Sequence, residues 1–215
     1  MEISNRRPIK TRSSAWAGAV ARGLARSGFT PNRVSVIGVG IALLGASAMV
    51  FSSNHTGGLT AGLLIAGAAC VQLRLLCNML DGLIAVENGL KSKLGDLFNE
   101  VPDRIEDVVL LLGAGFATGS SPGVTLGWVA AVLAVGTAYM RLLGGSLGVK
   151  QDFCGPLAKP QRMFFLTIFL LGAAVEALTT QTSWALTSGL AFIIAGTAVT
   201  LVRRLLRLAH MLQSR

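Results

Sequence analysis

Three long stretches of this chain carry almost no charge, and they restrict what it can fold into. Residues 34–73 hold no Asp, Glu, Lys or Arg, residues 108–140 hold none, and residues 163–202 hold only Glu176. A transmembrane helix needs about 20 mostly apolar residues, so each stretch has room for two. Each is broken near its middle by turn-forming residues: Ser52 to Gly58, Thr118 to Gly123, and Thr179 to Ser183. The pattern predicts three helical hairpins. The expected fold class is therefore an all-α polytopic membrane protein of six transmembrane helices, with an N-terminal amphipathic, interfacial segment. Composition agrees: 52% of the residues are hydrophobic and 13% charged, too few charges to cover a water-soluble globule.

The formal charge is +9, from 19 Lys and Arg against 10 Asp and Glu. A basic excess fits either nucleic acid or an anionic membrane surface, and placement decides between them. Arg6, Arg7, Lys10, Arg12, Arg22, Arg26 and Arg33 precede the first span. Arg74, Lys91, Lys93 and Arg104 surround the second-to-third connection, and Arg141, Lys150, Lys159 and Arg162 the fourth-to-fifth. Arg203, Arg204, Arg207 and Arg215 follow the sixth. No basic residue falls in a hairpin tip. By the positive-inside rule both termini and both long connections are cytoplasmic, in an inner (cytoplasmic) membrane, and no nucleic-acid partner is expected.

Residues 1–30 read as a cytoplasmic leader and 31–215 as the membrane domain. The leader is too long and polar for a cleavable signal. From Thr11 to Arg26 it alternates Trp16, Val20 and Leu24 with Arg12, Arg22 and Arg26, as an in-plane helix does. Cys70, Cys77 and Cys154 show neither disulfide nor metal spacing. Gly38, Gly40, Gly45 and Ala46 are expected to serve helix packing. Glu176 is expected at an interface, and His55 and His210 in solvent.

Acids near a bilayer are costly, so their placement is informative. Seven of the ten lie between Asp81 and Asp107. The second helix, drawn from Leu59 to Val86, spans about 42 Å and outruns the roughly 30 Å of hydrocarbon. Asn78 and Asp81 then sit at the cytoplasmic boundary. A third helix from Leu94 to Ala117 places Asn99, Asp103, Glu106 and Asp107 at or just inside it. Asn78, Asp81, Gly82 and Ala85 share one helix face, and Gly95, Asn99, Asp103 and Asp107 recur every four residues on the next. The short polar turn between them, with Asn88-Gly89, predicts neighbouring helices whose oxygen-bearing faces meet. Clustered Asp and Asn oxygens suit a hard cation, Mg2+ before Zn2+, and through it a phosphate.

These residues resemble the CDP-alcohol phosphotransferase motif, D-x2-D-G-x2-A-R-x8-G-x3-D-x3-D. The chain reads Asn78-x2-Asp81-Gly82-x2-Ala85-Val86-x8-Gly95-x3-Asn99-x3-Asp103, with every spacing kept. Thr30-Pro31-Asn32 before the first span is also similar to the family, and the resemblance covers residues 25–205. It implies transfer of a substituted phosphate from a CDP-alcohol, often CDP-diacylglycerol, to a small hydroxyl acceptor with release of CMP, using Mg2+ or Mn2+. It implies Asn78, Asp81, Asn99 and Asp103 at metal positions, Asp103 as general base, and Gly82, Ala85 and Gly95 making room for the nucleotide. Arg141, Lys159 and Arg162 are the acceptor-binding candidates, with surrounding membrane lipid and a second copy in a homodimer as further partners.

Three positions depart from the motif: Asn78 and Asn99 replace aspartates and Val86 replaces arginine. Asparagine brings a carbonyl but no charge, so half the motif's negative charge is missing, and Glu100, Glu106 and Asp107 are near enough to restore some. Two rival readings follow. One is a catalytically impaired member that binds nucleotide-lipid or a partner, with Asn78 and Asn99 serving helix–helix hydrogen bonds. The other is an ion transporter, disfavoured because its acids should lie near the midplane on several spans. Arg74 either snorkels to the interface or meets substrate phosphate.

Overall fold

The computed structural model describes residues 15–87, 94–180 and 182–214, without the side chains of residues 15, 86, 87 and 96. The leader before residue 15 and the turn holding Asn88, Gly89, Lys91 and Lys93 lie outside the described residues. These fold into α1 (Ala15–Arg26), α2 (Pro31–Ser52), α3 (Gly57–Glu87), α4 (Gly95–Ala117), α5 (Ser121–Ser146), α6 (Lys159–Thr179) and α7 (Trp184–Gln213). The hairpins α2–α3, α4–α5 and α6–α7 turn at the expected breaks.

Helices α2, α3, α5, α6 and α7 are long and apolar enough to cross a membrane. The protein is thus a multi-pass, all-α membrane protein. Helix α4 differs: its charges run from Asp96 to Asp107 and only Val108–Ala117 is apolar. Apolarity therefore identifies five spans rather than six.

Local chemistry starts the helices where they start. Thr30 caps α2 by accepting the Arg33 N–H at 3.4 Å, and Pro31, which lacks an N–H to leave unpaired, opens the first turn. Ser120 caps α5 by accepting the Gly123 N–H at 3.2 Å. Between α4 and α5, Gly119 takes a positive φ of 65°. A Cβ on Gly115 would stand 2.9 Å from the Gly127 Cα, so the two backbones touch.

The six long helices close a ring in the order α2, α3, α6, α7, α5, α4. Its outer half is filled by Met49, Val71, Leu110, Leu111, Leu166, Leu170, Leu190 and Ile193, each stabilising the bundle chiefly by dense packing, since the lipid outside is equally apolar. The expectation that α3 and α4 are close neighbours needs correction: α2 packs against both, and they face each other with little direct contact. Side chains bridge the space between them.

Small residues set how close α2 can come. A Cβ on Gly38 would lie 2.6 Å from Glu106 Oε1, one on Gly45 2.6 Å from the Cys70 Cβ, and Gly113 of α4 packs on Ala46. Gly40 meets nothing within 4 Å, so it is not a packing glycine. Helix α1 lies on α3 through Ala17 and Ala21, which cluster with Val34, Leu80, Leu83 and Ile84. Trp16 and Val20 point outward, 50% and 42% exposed, opposite the face that holds the helix to the protein.

Candidate active site

The ring's interior changes character where Asp81 and Asp103 enter it. On α3, Asp81 is buried and accepts the Ser35 hydroxyl of α2 at 2.6 Å. One turn earlier, Asn78 reaches across to α4, its Nδ2 donating to Asp103 Oδ1 at 2.7 Å and to Glu106 Oε2 at 2.9 Å. The two oxygen-bearing faces therefore do meet, through side chains. Pro102 lies inside α4 and removes one backbone donor from the turn preceding Asp103.

Cations interleave these acids. Arg74 is fully buried, with Nη1 3.1 Å from Glu106 Oε2 and Nη2 2.5 Å from Asp107 Oδ1. It neither snorkels nor lies open to substrate, because each acid would otherwise be left buried and uncompensated. Arg162 reaches the other Asp107 oxygen at 2.6 Å. Lys159 Nζ pairs with Asp103 Oδ1, and Arg104 with Oδ2 at 3.2 Å. Arg141 holds both Glu100 oxygens, at 2.5 and 2.6 Å, donates to Gln151 at 3.0 Å and covers the Phe153 ring at 5.5 Å. Among the described residues no three His, Cys, Asp or Glu side chains converge as a ready metal centre; Glu100, Asp103, Glu106 and Asp107 are each drawn toward a cation.

The α5–α6 connection holds Lys159 and Arg162 in place. Arg204 of α7 donates Nε to the Cys154 carbonyl at 3.0 Å and Nη1 to the Thr137 carbonyl at 2.6 Å. Asp152 accepts the Cys154 N–H at 2.8 Å. Burial alone would raise the Asp152 pKa, but its hydrogen bonds to Cys154 and the nearby Arg207 outweigh that and hold it below the ordinary range. The Cys154 thiol is pushed up by burial and by Asp152. The Leu157 N–H donates to Thr200 at 3.1 Å, and Gly155, at φ 124°, allows the loop to touch Thr200.

The remaining candidates are spread around this cluster. Gly82 and Ala85 are half-buried, Gly95 opens α4, and Asn99 is exposed on the following turn. An open cleft of about 470 Å3 lies against the α5–α6 connection, lined by Leu142, Gly145, Val149 and Gln151 among others, and not over the motif. Sequence reasoning missed Ser35 and Arg204; for Arg74 it offered the interface or a substrate phosphate and missed the buried pairing with Glu106 and Asp107. Glu176 accepts the Ala185 N–H at 2.9 Å and so caps α7, while His55 and His210 are exposed as expected.

Fold and site together define a helical multi-pass membrane protein with an acid–base cluster between two spans. No protein-family model matches the sequence. Phosphatidylinositol phosphate synthase of Mycobacterium tuberculosis is 29% identical over 192 residues, 86% of this chain and 82% of that protein. The protein of the same name from Mycolicibacterium smegmatis is 27% identical over 190 residues, 86% of this chain and 80% of that protein. The structure of the M. tuberculosis synthase with CDP-DAG bound superposes with a TM-score of 0.74 at 25% identity, covering 91% of this chain and 94% of that one. Its structure with manganese and citrate gives 0.73 at 26% identity, covering 89% and 88%. With the motif spacing kept on α3 and α4, the chain is similar in sequence and fold to these synthases and to the CDP-alcohol phosphotransferase pattern.

Proposed function

We propose that this protein transfers a phosphatidyl group from a CDP-alcohol, CDP-diacylglycerol first, to a hydroxyl acceptor, releasing CMP in phospholipid biosynthesis. The observation that carries the reading is the Asn78–Asp103–Lys159 junction, which joins the motif's two helices to the basic start of α6. Relatives named phosphatidylinositol phosphate synthase favour an acceptor that itself carries phosphate.

Asp103 is the general base. Lys159 and Arg104 hold its carboxylate in place, and it takes the acceptor's proton as the acceptor oxygen bonds to phosphorus and the bond to CMP breaks. Asn78, Asp81, Asn99 and Asp103 occupy the metal positions. On the Asp81 side the donors fit a hard divalent cation: the Asp81 carboxylate, the Asn78 amide carbonyl and a buried Glu106 Oε1 without a hydrogen-bond partner. Mg2+ or Mn2+ would neutralise charge on the diphosphate when bound. Gly82, Ala85 and Gly95 leave room for the nucleotide.

Arg141, Lys159 and Arg162 face the acceptor. Support comes from Arg162, whose Nε and Nη1 are buried without hydrogen-bond partners and suit an anion. Helix α4 is the sixth span, with both termini cytoplasmic in an inner membrane, and the chain works as a homodimer. Purified protein should release CMP from CDP-diacylglycerol with Mg2+ or Mn2+ and a panel of phosphorylated polyols. Background CMP with every acceptor sinks the reading.

One observation favours a second reading, an impaired member that only binds nucleotide-lipid: Asn78 donates hydrogen bonds to Asp103 and Glu106, a role that needs no metal. Restoring aspartate at 78 and 99 separates the two. A large gain of CMP release over an inactive parent favours the impaired member.

A further inference from the structure

Among the described residues, acids and cations alternate around the motif. Asp81, Glu100, Asp103, Glu106 and Asp107 are interleaved with Arg74, Arg104, Arg141, Lys159 and Arg162. The two motif carboxylates are treated differently. Asp103 is answered by two cations: Oδ1 receives Lys159 Nζ and Asn78 Nδ2, and Oδ2 receives Arg104. Asp81 receives a neutral hydroxyl, Ser35, and pairs with no cation among the described residues.

Lys159 is not where a helix favours a lysine. It stands at the first residue of α6, where the positive end of the helix dipole opposes an ammonium. The anchored loop and Asp103 hold it there. Close to Asp81, one acid oxygen remains: Ser35 and Gly38 lie three apart on α2, the first on Asp81 and the second against Glu106 Oε1, buried and without a hydrogen-bond partner.

We infer that Lys159 is a built-in counter-cation that takes the place of one divalent ion at Asp103, so that the site accepts a single Mg2+ or Mn2+ on its Asp81 side. The inference rests on the phosphotransferase reading for the presence of a metal, and goes beyond it in number and place. Four motif carboxylates would match two divalent ions. Asp81 and Asp103 match one, and Lys159 already neutralises the second of them.

The test is a count of Mn2+ bound per chain, by electron paramagnetic resonance on full-length protein in detergent with CDP-diacylglycerol present. One Mn2+ is expected for wild type and two for the triple variant Asn78→Asp, Asn99→Asp, Lys159→Gln. Lys159→Gln alone should tighten Mn2+ at least about tenfold by removing a like charge, and Lys159→Arg should leave it unchanged. Should the triple variant fail to fold, the wild-type count and the Lys159→Gln shift decide alone. Two Mn2+ on wild type, no Mn2+ on it, or an unshifted affinity in folded Lys159→Gln overturns the inference. An inactive chain that binds one Mn2+ sinks the phosphotransferase reading and leaves this one standing; an active chain with two does the reverse.

Discussion

Arg74 of α3 and Asp107 of α4 are joined at 2.5 Å with both side chains almost wholly out of solvent. The pair spans the space between helices that otherwise hardly touch, and Arg162 of α6 completes it from a third direction. Two guanidinium groups and two acids thus tie three helices together.

Removing one partner of such a cluster leaves a buried charge unmatched, which costs about 3–5 kcal/mol. Arg74→Met and Asp107→Asn should each lower the unfolding midpoint in detergent sharply. Arg207→Met, whose partner Asp152 lies 3.6 Å away across an exposed contact, should change it little. Equal effects would count against a structural role for the buried cluster.

Gly38 and Gly40 provide a paired test of close approach. A methyl at 38 lands 2.6 Å from Glu106 Oε1, whereas at 40 it meets nothing within 4 Å. Gly38→Ala should displace Glu106, destabilise the protein by about 1–3 kcal/mol and lower CMP release. Gly40→Ala should stay within about 0.5 kcal/mol of wild type with activity kept. Circular dichroism melts and a CMP assay read both.

Asp103→Asn removes the proposed base while keeping its shape. CMP release should fall by about 10²–10⁴-fold, with the thermal midpoint shifted far less than in Arg74→Met. A variant that keeps full rate would remove Asp103 from the mechanism.

The α5–α6 connection should matter through Lys159. Gly155→Ala meets both an unfavourable φ of 124° and Thr200 atoms only 2.3 Å from the new methyl. It should cost about 1–3 kcal/mol and open residues 147–158 to limited proteolysis. Arg204→Met, which releases the Cys154 and Thr137 carbonyls, should expose the same segment. Protection equal to wild type in both variants would show that the loop is held by other contacts.

Much of the fold was legible in order along the chain. The hairpin tips fell where Gly, Ser and Pro interrupt apolar runs, and α3 and α4 begin and end within two residues of expectation. The helix α1 fell where the apolar and basic residues alternate, but its attachment through Ala17 and Ala21 to α3 was not legible, because two alanines give no amphipathic signal. Apolar length alone identifies five of the six expected spans, because charge occupies the first half of α4.

What the sequence alone determined is the membrane class, the hairpins and the motif spacing. Burial of apolar surface and satisfaction of backbone hydrogen bonds in lipid are settled within one helix at a time. Only the tertiary structure decided which cation answers which acid. Lys159 meets Asp103 from 56 residues away and Arg162 meets Asp107 from 55, because closing the ring brings the start of α6 against α4. Electrostatic pairing depends on distance in space, and in a bundle that distance is set by packing between helices far apart in the chain.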